Sequence, residues 1–552
     1  MKAVRYTQDM IDDYLSKGYW TTETLAYFWD RNAREYPDKE ALVDYKTRLT
    51  WLQAKQQIDR LALGLLSLGI GRDEVVVCQL PNWVEAVIFR VACEKAGILF
   101  APTMTSSRHT EIKRIFDTTE AVGIVIPKEF DGFDHFKLIE ELRPDLPTLK
   151  HVFVAGGNVP GRALSLEEML REPMETKYPS EYLQKAAFSP IEVSSIAITS
   201  GITGLPKFVE WATTPLILGA KTCIERYKMT SDDIVIALGP IGWGSTVFVG
   251  FVAAPIVAAK IVLLEKFTPE EGLNLVEKEK CTIAAGAAAQ LIMMVRDSNF
   301  HKYDVSSLRA FSWTGAPLPY HMAIEAEEAM GCTIVGMYGG QDMGVPHTVS
   351  IDDPSEVRHL TVGKPLPGTE TKLVDDAGEE VPQGEVGEIL SRGAACFPGR
   401  YKSPEDTLKV WGAMGKEGWY RTNDLGKFDK AGNLSVVGRK EDIIVRSGQK
   451  VYPLEIENIL LTHPKVSNVA VVGMPDTKEG ERVCAYVIPK PQQQFTYDDM
   501  ISFLEKKGLS PYKLPQRLEI IDRFPMSSGG QKILKRELVN IITLKLKAEG
   551  KI

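Results

Sequence analysis

The sequence predicts an α/β protein: a large N-terminal domain of parallel-sheet subdomains plus a small β-rich region, followed by a small mobile α+β C-terminal domain. Three observations carry that expectation. Short Val- and Ile-rich runs alternate with helix-patterned segments through the first two thirds of the chain. After about residue 365 the texture changes to short strands between Gly, Asn and Asp turns. The final stretch, about 110 residues long, reads helix–strand–strand–helix–strand, enough for a domain of its own.

Each element has a local reason. Residues 58–68 (IDRLALGLLSL) have helical spacing, and Gly69 begins the punctuation that ends them. Residues 74–80 (EVVVCQL) read as a buried strand and residues 84–96 as a second helix, after which Gly97 turns the chain into another strand. Gly123-Ile-Val-Ile-Pro, His151-Val-Phe-Val-Ala, Asp233-Ile-Val-Ile-Ala and Lys260-Ile-Val-Leu-Leu repeat the scheme. Later strands are expected at residues 369–374, 388–391 and 434–437. The last unit reads as helix 453–461, strand 466–472, strand 482–488, helix 496–506 and strand 517–521. A short charged joint near Lys440 suits a hinge, which divides the chain into domains 1–439 and 440–552 with the hinge near 440–441.

Composition excludes several classes. At 552 residues the chain holds three or four units of about 150 residues. Hydrophobic residues make up 44% and charged residues 25%, which excludes disorder, collagen and coiled coil. With 65 Lys+Arg against 73 Asp+Glu, the net charge of −8 lacks the footprint of a general nucleic-acid binder. The seven cysteines are scattered and form no C-x-x-C, so buried reduced thiols in a cytoplasmic protein are expected rather than a disulfide framework or a zinc site. The first twenty residues offer no apolar run to a signal peptide. Residues 234–259 carry no charge and are long enough to cross a bilayer. Gly239, Pro240, Gly242, Gly244, Gly250 and Pro255 interrupt them, however, and neither flank is basic, so buried strand and helix segments are expected instead.

The chemistry begins at Thr199-Ser-Gly-Ile-Thr-Gly-Leu-Pro-Lys207, which follows a strand at Ser195-Ile-Ala-Ile. Three hydroxyls, two glycines and a lysine in nine residues suit a polyphosphate. Gly201 and Gly204 allow backbone N–H groups close to oxygens, Thr199, Ser200 and Thr203 donate hydroxyls, and Lys207 adds charge. The Walker pattern is absent, because Pro206 precedes the lysine and Phe-Val-Glu-Trp continues as strand. By chance such a loop occurs in roughly 3 × 10⁻⁵ of chains this long.

This loop resembles that of the adenylate-forming superfamily: acyl-CoA and aryl-CoA synthetases, nonribosomal peptide adenylation domains and luciferases. Further motifs follow in family order from residue 49 to residue 538. Leu49-Thr-Trp and Lys95-Ala-Gly-Ile-Leu-Phe-Ala-Pro resemble early scaffold motifs. Thr314-Gly-Ala-Pro-Leu318, Met337-Tyr-Gly-Gly-Gln-Asp342 and Gly418-Trp-Tyr-Arg-Thr-Asn-Asp-Leu-Gly426 resemble the nucleotide-binding motifs. Gly438-Arg-Lys-Glu-Asp-Ile-Ile, Ser447-Gly-Gln-Lys-Val-Tyr-Pro-Leu-Glu-Ile-Glu457 and Gln-Lys-Ile-Leu-Lys-Arg-Glu-Leu538 resemble those of the C-terminal domain.

The resemblance implies attack of a carboxylate on the α-phosphate of ATP, then transfer of the acyl group from acyl-AMP to CoA, with Mg²⁺ assisting. Thr199, Ser200, Gly201, Thr203, Gly204 and Lys207 would hold the leaving phosphates, and Lys532 and Lys207 would be the catalytic cations. Gly315, Ala316 and Pro317 would pass under the adenine, Tyr338 would stack on it, and Gly339, Gly340 and Gln341 would complete that wall. Asp424 would accept the ribose hydroxyls, Arg439 would close over ribose or phosphate, and Asp342, standing where the family has Glu, would bind Mg²⁺. Ser447, Gly448 and Gln449 would line the thiol tunnel, and Lys440, Arg446 and Lys450 either meet the CoA 3′-phosphate or form a solvated charged face. Departures from the family stand at Phe208, Gln341, Asp342, Glu441 and Gln531.

The pocket segment, residues 234–250, contains no acid, so a free α-amino acid is not the expected substrate. Trp243, Gly244, Trp313, Thr314 and Gly340 suggest a compact apolar pocket. A ring-sized neutral acid, benzoate or cyclohexanecarboxylate, is the leading expectation, with medium-chain fatty acids close behind. The alternatives are an aryl-AMP ligase that charges a carrier-protein phosphopantetheine and an inactive paralogue that binds nucleotide or acyl-adenylate. No nucleic-acid partner is expected, and a homodimer is left open.

Overall fold

The structure is a computed structural model, and it describes residues 1–552 except 158, 160, 180, 200–205, 241, 243 and 527–532. Ser200, Gly201, Thr203, Gly204, Trp243, Gln531 and Lys532 therefore lie outside the described residues.

Two eight-stranded sheets form the bulk of the described N-terminal part. Across one sheet the strands run Gly344–Thr348, Thr333–Gly340, Ala310–Thr314, Ile283–Ala287, Ile234–Ala237, Lys260–Leu263, Glu40–Val43 and Arg48–Thr50. Its interior pairings are parallel and both outermost pairings are antiparallel. Across the other they run Gly399–Arg400, Lys207–Ala212, Val193–Thr199, Leu99–Pro102, Val75–Cys78, Gly123–Pro127, His151–Ala155 and Leu164–Ser165. Parallel strands need crossovers, and the helix-patterned segments supply them.

The helix Val84–Ala96 shows where the core sits. Every one of its residues is buried, because it shares one apolar cluster with residues of both sheets, among them Val76 and Ile261. A helix covered on all sides must settle its charges internally. Lys95 does so through Asp30 at 2.5 Å and Asp59 at 2.6 Å. Gly97 ends the helix at φ +70°, where an added Cβ would lie 2.5 Å from the Ala186 carbonyl oxygen, so the glycine is required twice over. Thr50 of Leu49-Thr-Trp is the N-cap of helix Trp51–Ser67 and forms a reciprocal capping box with Gln53.

The β-rich region is a four-stranded antiparallel sheet ordered Thr369–Val374, Gly387–Gly393, Tyr420–Phe428 and Leu434–Arg439. Beyond it a five-stranded sheet, with helices Pro453–Leu460, Tyr497–Lys506 and Lys535–Ala548, builds the smaller C-terminal domain around apolar clusters of its own. Its central hairpin, Val466–Asp476 with Gly480–Pro489, is longer than the apolar runs indicate, because its polar ends pair as well. Strand Tyr420–Phe428 was not expected from pattern: its alternation is obscured by the polar residues of the motif it carries.

The charge-free stretch folds as strand Ile234–Ala237, a π-helix at Thr246–Ala253 and a short helix at Ala254–Ile256. No helix among the described residues is long and apolar enough to cross a membrane. All seven cysteines are buried.

Candidate active site

Several of the described residues expected in the site lie at the ends of strands. Thr199 closes strand Val193–Thr199 and lies opposite Lys207, which opens the antiparallel strand Lys207–Ala212; residues 200–205 between them lie outside the described residues. Thr314 closes its parallel strand and donates its hydroxyl to the Met337 carbonyl at 3.1 Å, tying it to the next strand. Gly315 then turns at φ +96°, and the Gly315-Ala-Pro317 segment stays open to solvent. Carboxyl ends of parallel strands, with turns that cannot pair further, are where α/β sheets place ligands.

Strand Thr333–Gly340 ends in a tight hairpin with Gly344–Thr348, and Gly340 pairs with Gly344. A Cβ on Gly339 would lie 2.2 Å from the Gly344 carbonyl oxygen, so the turn is closed to side chains there. Two neighbours clamp the intervening Gln341-Asp-Met343. The Trp211 indole N–H donates to the Gln341 carbonyl at 2.9 Å, and the Phe397 amide donates to the Asp342 carbonyl at 3.3 Å. Trp211 and Phe397 themselves stack with centroids 4.6 Å apart.

Tyr338, 8% exposed, donates its hydroxyl to Asp424 Oδ2 at 2.8 Å. Burial, followed by the Asp424 charge, pushes the phenol well above its ordinary pKa, so it remains a donor. Asp424 faces Arg439 across the antiparallel pair, with Arg439 Nε 3.4 Å from Oδ1. Tyr338, Asp424 and Arg439 are thus one connected group, although three separate motifs supply them.

Asp342 is 7% exposed and carries partners that sequence reasoning missed. Arg400 Nη2 lies 3.0 Å from Oδ1, and the Tyr420 hydroxyl donates to Oδ2 at 3.1 Å. Burial raises the Asp342 pKa, with the Arg400 charge, the Tyr420 hydrogen bond and the Lys207 charge opposing in that order. Oδ1 is buried and accepts no hydrogen bond, although the Arg400 charge stands beside it. Among the described residues no group of three or more His, Cys, Asp and Glu could hold a metal ion. Mg²⁺ is ordinarily held by one or two carboxylates together with substrate phosphates, and the unbonded Oδ1 leaves Asp342 an oxygen that would suit such an ion. Nothing in the sequence around Gly399-Arg-Tyr401 marked Arg400 as part of the site; Tyr420 lay inside a quoted motif without a role.

Gly244 and Trp313, two of the residues expected in the acid pocket, are tightly packed. Gly244 has φ +59°, and a Cβ there would lie 2.7 Å from Thr314 Cγ2. Gly336, which sequence reasoning passed over, would bring a Cβ within 2.7 Å of the Trp313 ring. Trp313 itself belongs to a buried apolar cluster with Leu238 and Leu318, and Phe248 lies over Gly219.

Ser447 and Gly448, at φ +48° and +80°, form the two-residue turn of the hairpin Ile444–Arg446 with Gln449–Val451, the backbone geometry that such turns favour. Ser447, Gly448 and Gln449 are all exposed. The three basic residues considered for the CoA phosphate are already paired. Lys440 lies 3.0 Å from Asp376 and 3.2 Å from Glu388, Lys450 lies 3.0 Å from Asp376, and Arg446 pairs with Glu479 at 2.5 Å. A charged face of ion pairs describes them.

Comparison with known proteins gives the family. The AMP-binding enzyme model matches residues 29–401, and the AMP-binding enzyme C-terminal domain model matches residues 455–531. The chain belongs to the AMP-binding enzyme family, the adenylate-forming superfamily. It is 31% identical to the medium-chain fatty-acid–CoA ligase of Escherichia coli (strain K12), over 95% of this chain and 92% of that one. It is 30% identical to the 2,3-dihydroxybenzoate-AMP ligase of Bacillus subtilis (strain 168), over 98% of both chains. Among solved structures it resembles the anthranilate CoA ligase AuaEII in complex with anthranoyl-AMP, with a TM-score of 0.86, 25% identity, and coverage of 96% of this chain and 98% of that one. The protein is an adenylate-forming acid ligase, an AMP-forming acid–thiol ligase by class.

Proposed function

We propose that the protein activates a ring-sized neutral carboxylic acid, of the benzoate or cyclohexanecarboxylate kind, and transfers it to CoA. In the first step a carboxylate oxygen bonds to the α-phosphorus of ATP, the bridge to the β-phosphate breaks, and pyrophosphate leaves with the electron pair. In the second the CoA thiolate bonds to the acyl carbon and AMP departs. Neither step needs an enzyme nucleophile, so alignment and charge neutralisation supply the catalysis.

The observation that carries the choice of acid is the pocket segment. Residues 234–250 contain no charged side chain, so an ammonium group would find no partner there. Gly244 against Thr314, and Gly336 under Trp313, keep the space beside the strand ends small. Likeness to a ligase solved with anthranoyl-AMP, and 30% identity to a Streptomyces salicylyl-CoA synthase / salicylate adenylyltransferase, support an aromatic acid.

In this reading Thr199, Ser200, Gly201, Thr203, Gly204 and Lys207 hold the leaving phosphates. Tyr338, Asp424 and Arg439 form the nucleoside site, with Gly315, Ala316, Pro317, Gly339, Gly340 and Gln341 around the base. Trp243, Gly244, Trp313, Thr314 and Gly340 wall the acid, and Lys532 bridges the acid and the α-phosphate. Turning of domain 440–552 on a hinge at 440–441 brings Ser447, Gly448 and Gln449 to the thiol. A carrier-protein phosphopantetheine is the second reading, favoured by the likeness to the dihydroxybenzoate-AMP ligase. A medium-chain fatty acid is a third, favoured by the Escherichia coli relative.

AMP release from ATP with benzoate, cyclohexanecarboxylate, hexanoate and acetate, each with and without CoA, tests the proposal. CoA-dependent release with a ring acid is expected. A preference for hexanoate, or pyrophosphate exchange without CoA-dependent turnover, would replace it with one of the alternatives.

A further inference from the structure

The first twenty residues contain none of the motifs of the site, yet three of their side chains hold a segment that packs against it. Trp20 donates its indole N–H to the Ala394 carbonyl at 2.9 Å, Tyr6 its hydroxyl to the Cys396 carbonyl at 3.1 Å, and Arg5 Nη2 donates to the Phe397 carbonyl at 3.1 Å. Segment 394–397 in turn meets Gln341-Asp-Met343. The Phe397 amide donates to the Asp342 carbonyl, and a Cβ on Gly344 would strike the Ala395 carbonyl oxygen. Arg5 reaches Asp342 by a second route as well. Its Nη1 holds the Gly415 carbonyl at 2.9 Å, and its guanidinium carbon lies 3.9 Å from the centroid of the Trp411 ring. Trp411 packs on Tyr420 with centroids 5.2 Å apart, and the Tyr420 hydroxyl donates to Asp342 Oδ2. Arg5 is 1% exposed, so its planar fork has no solvent to turn towards and holds both carbonyls in one geometry.

We infer that Arg5 is a positioning residue for the reaction: with Tyr6 and Trp20 it fixes segment 394–397, and through that segment and Tyr420 it fixes the turn that carries Asp342. Tyr338 stands outside this support, on the strand before the turn and hydrogen-bonded to Asp424. Loss of the Arg5 fork therefore leaves the nucleoside contacts in place and displaces the groups beyond them. Alignment supplies the catalysis of this reaction, and a misplacement of about 1 Å can cost about 100-fold in rate. The signature is a lower kcat with little change in ATP affinity. A lysine cannot reproduce the hold, because an ammonium has no planar fork to span two carbonyls or to lie on an indole.

This inference rests on the adenylation reading, and one arm of its test needs no acid. The Trp211 indole N–H, bonded to the Gln341 carbonyl, reports the turn directly. Its hydrogen exchange is followed by nuclear magnetic resonance on protein carrying isotope-labelled tryptophan, with the signal assigned by its loss in Trp211→Phe. Arg5→Lys is expected to exchange this proton at least about tenfold faster than wild type. It is also expected to lower kcat for ATP–pyrophosphate exchange with benzoate at least about tenfold, while the calorimetric ATP dissociation constant stays within about twofold. Tyr6→Phe, which removes one hydroxyl from the same support, is expected to shift exchange and kcat in the same direction by about threefold. Met10, wholly buried in the N-terminal segment, supplies the control: Met10→Ala keeps all three donors and is expected to unfold earlier on heating, with exchange and kcat as in wild type. Wild-type indole exchange or wild-type kcat in Arg5→Lys, or equal losses in Met10→Ala, would overturn the inference. If Arg5→Lys does not fold, Tyr6→Phe decides, and wild-type values there would overturn it. Faster indole exchange beside silence with benzoate would support the positioning and count against the proposed acid alone.

Discussion

Replacing Tyr338 with Phe removes one hydroxyl and leaves the ring, so it separates stacking from the hold on Asp424. In the structure that hydroxyl fixes Asp424 Oδ2 at 2.8 Å, while Arg439 stands 3.4 Å from Oδ1. Without it, Asp424 regains rotamer freedom that ATP must remove again. Immobilising one such side chain costs about 0.5–1.5 kcal/mol, which is about 2- to 12-fold in affinity. Arg439 still restrains the other oxygen, so an ATP dissociation constant raised about three- to fivefold is expected, with the KM for acid unchanged. Asp424→Asn removes the charge as well. Hydrogen bonds to charged groups are worth about 1.5–3 kcal/mol, so a loss of at least about tenfold is expected. In the Asp424→Asn background the Tyr338→Phe substitution should add less than about twofold, because the two residues act as one unit. Calorimetric ATP titration of the four proteins completes the cycle. If the two effects simply multiply, or Tyr338→Phe binds ATP as wild type does, the Tyr338–Asp424 pair is not the ribose site.

Three further outcomes are expected. Lys532→Ala should lose adenylate formation by about a hundredfold or more while keeping ATP binding; pyrophosphate exchange at the wild-type rate would remove Lys532 from the chemistry. Gly336→Ala pushes a Cβ to 2.7 Å from the Trp313 ring, and overpacking of this kind costs about 1–3 kcal/mol, seen as earlier thermal unfolding, with the KM for ring acids rising more than that for ATP. His347 is buried, bonded through Nδ1 to the Gly363 carbonyl and through Nε2 to the Thr371 hydroxyl, and burial lowers its pKa to about 4. A depressed folded value means its stabilising contribution is whole above the ordinary 6.5 and is lost as pH falls from there through about 4, amounting to about 3 kcal/mol. Denaturant midpoints between pH 7 and pH 4 should therefore fall more steeply for wild type than for His347→Gln; parallel slopes would mean that this imidazole is not held neutral.

Much of the scaffold was legible residue by residue. Helix Val84–Ala96 and strand Thr369–Val374 have the bounds that their patterns indicate, and the C-terminal elements differ from expectation mainly at their ends. Short-range signals set these elements: periodicity, a capping Thr such as Thr50, and a glycine such as Gly97 at a left-handed turn. The motifs around Tyr338 and Asp424 stand out in the sequence for a similar reason, since each packs its polar residues into a short stretch of chain. Strand Tyr420–Phe428 was hidden because its polar alternation serves a site instead of a solvent face.

What the sequence by itself determined is therefore the family, the layered α/β plan and the identity of most nucleotide-contacting candidates, because all of these are written in neighbours along the chain. Only the tertiary structure decided who partners whom. It paired Asp342 with Arg400 and Tyr420, joined Tyr338 to Asp424, laid Trp313 over Gly336, and spent Lys440, Arg446 and Lys450 on carboxylates. Those partnerships depend on which strands lie side by side and how deeply they are buried. A buried charge takes whatever counter-charge the packing brings within reach, and no local pattern in the chain encodes that distance.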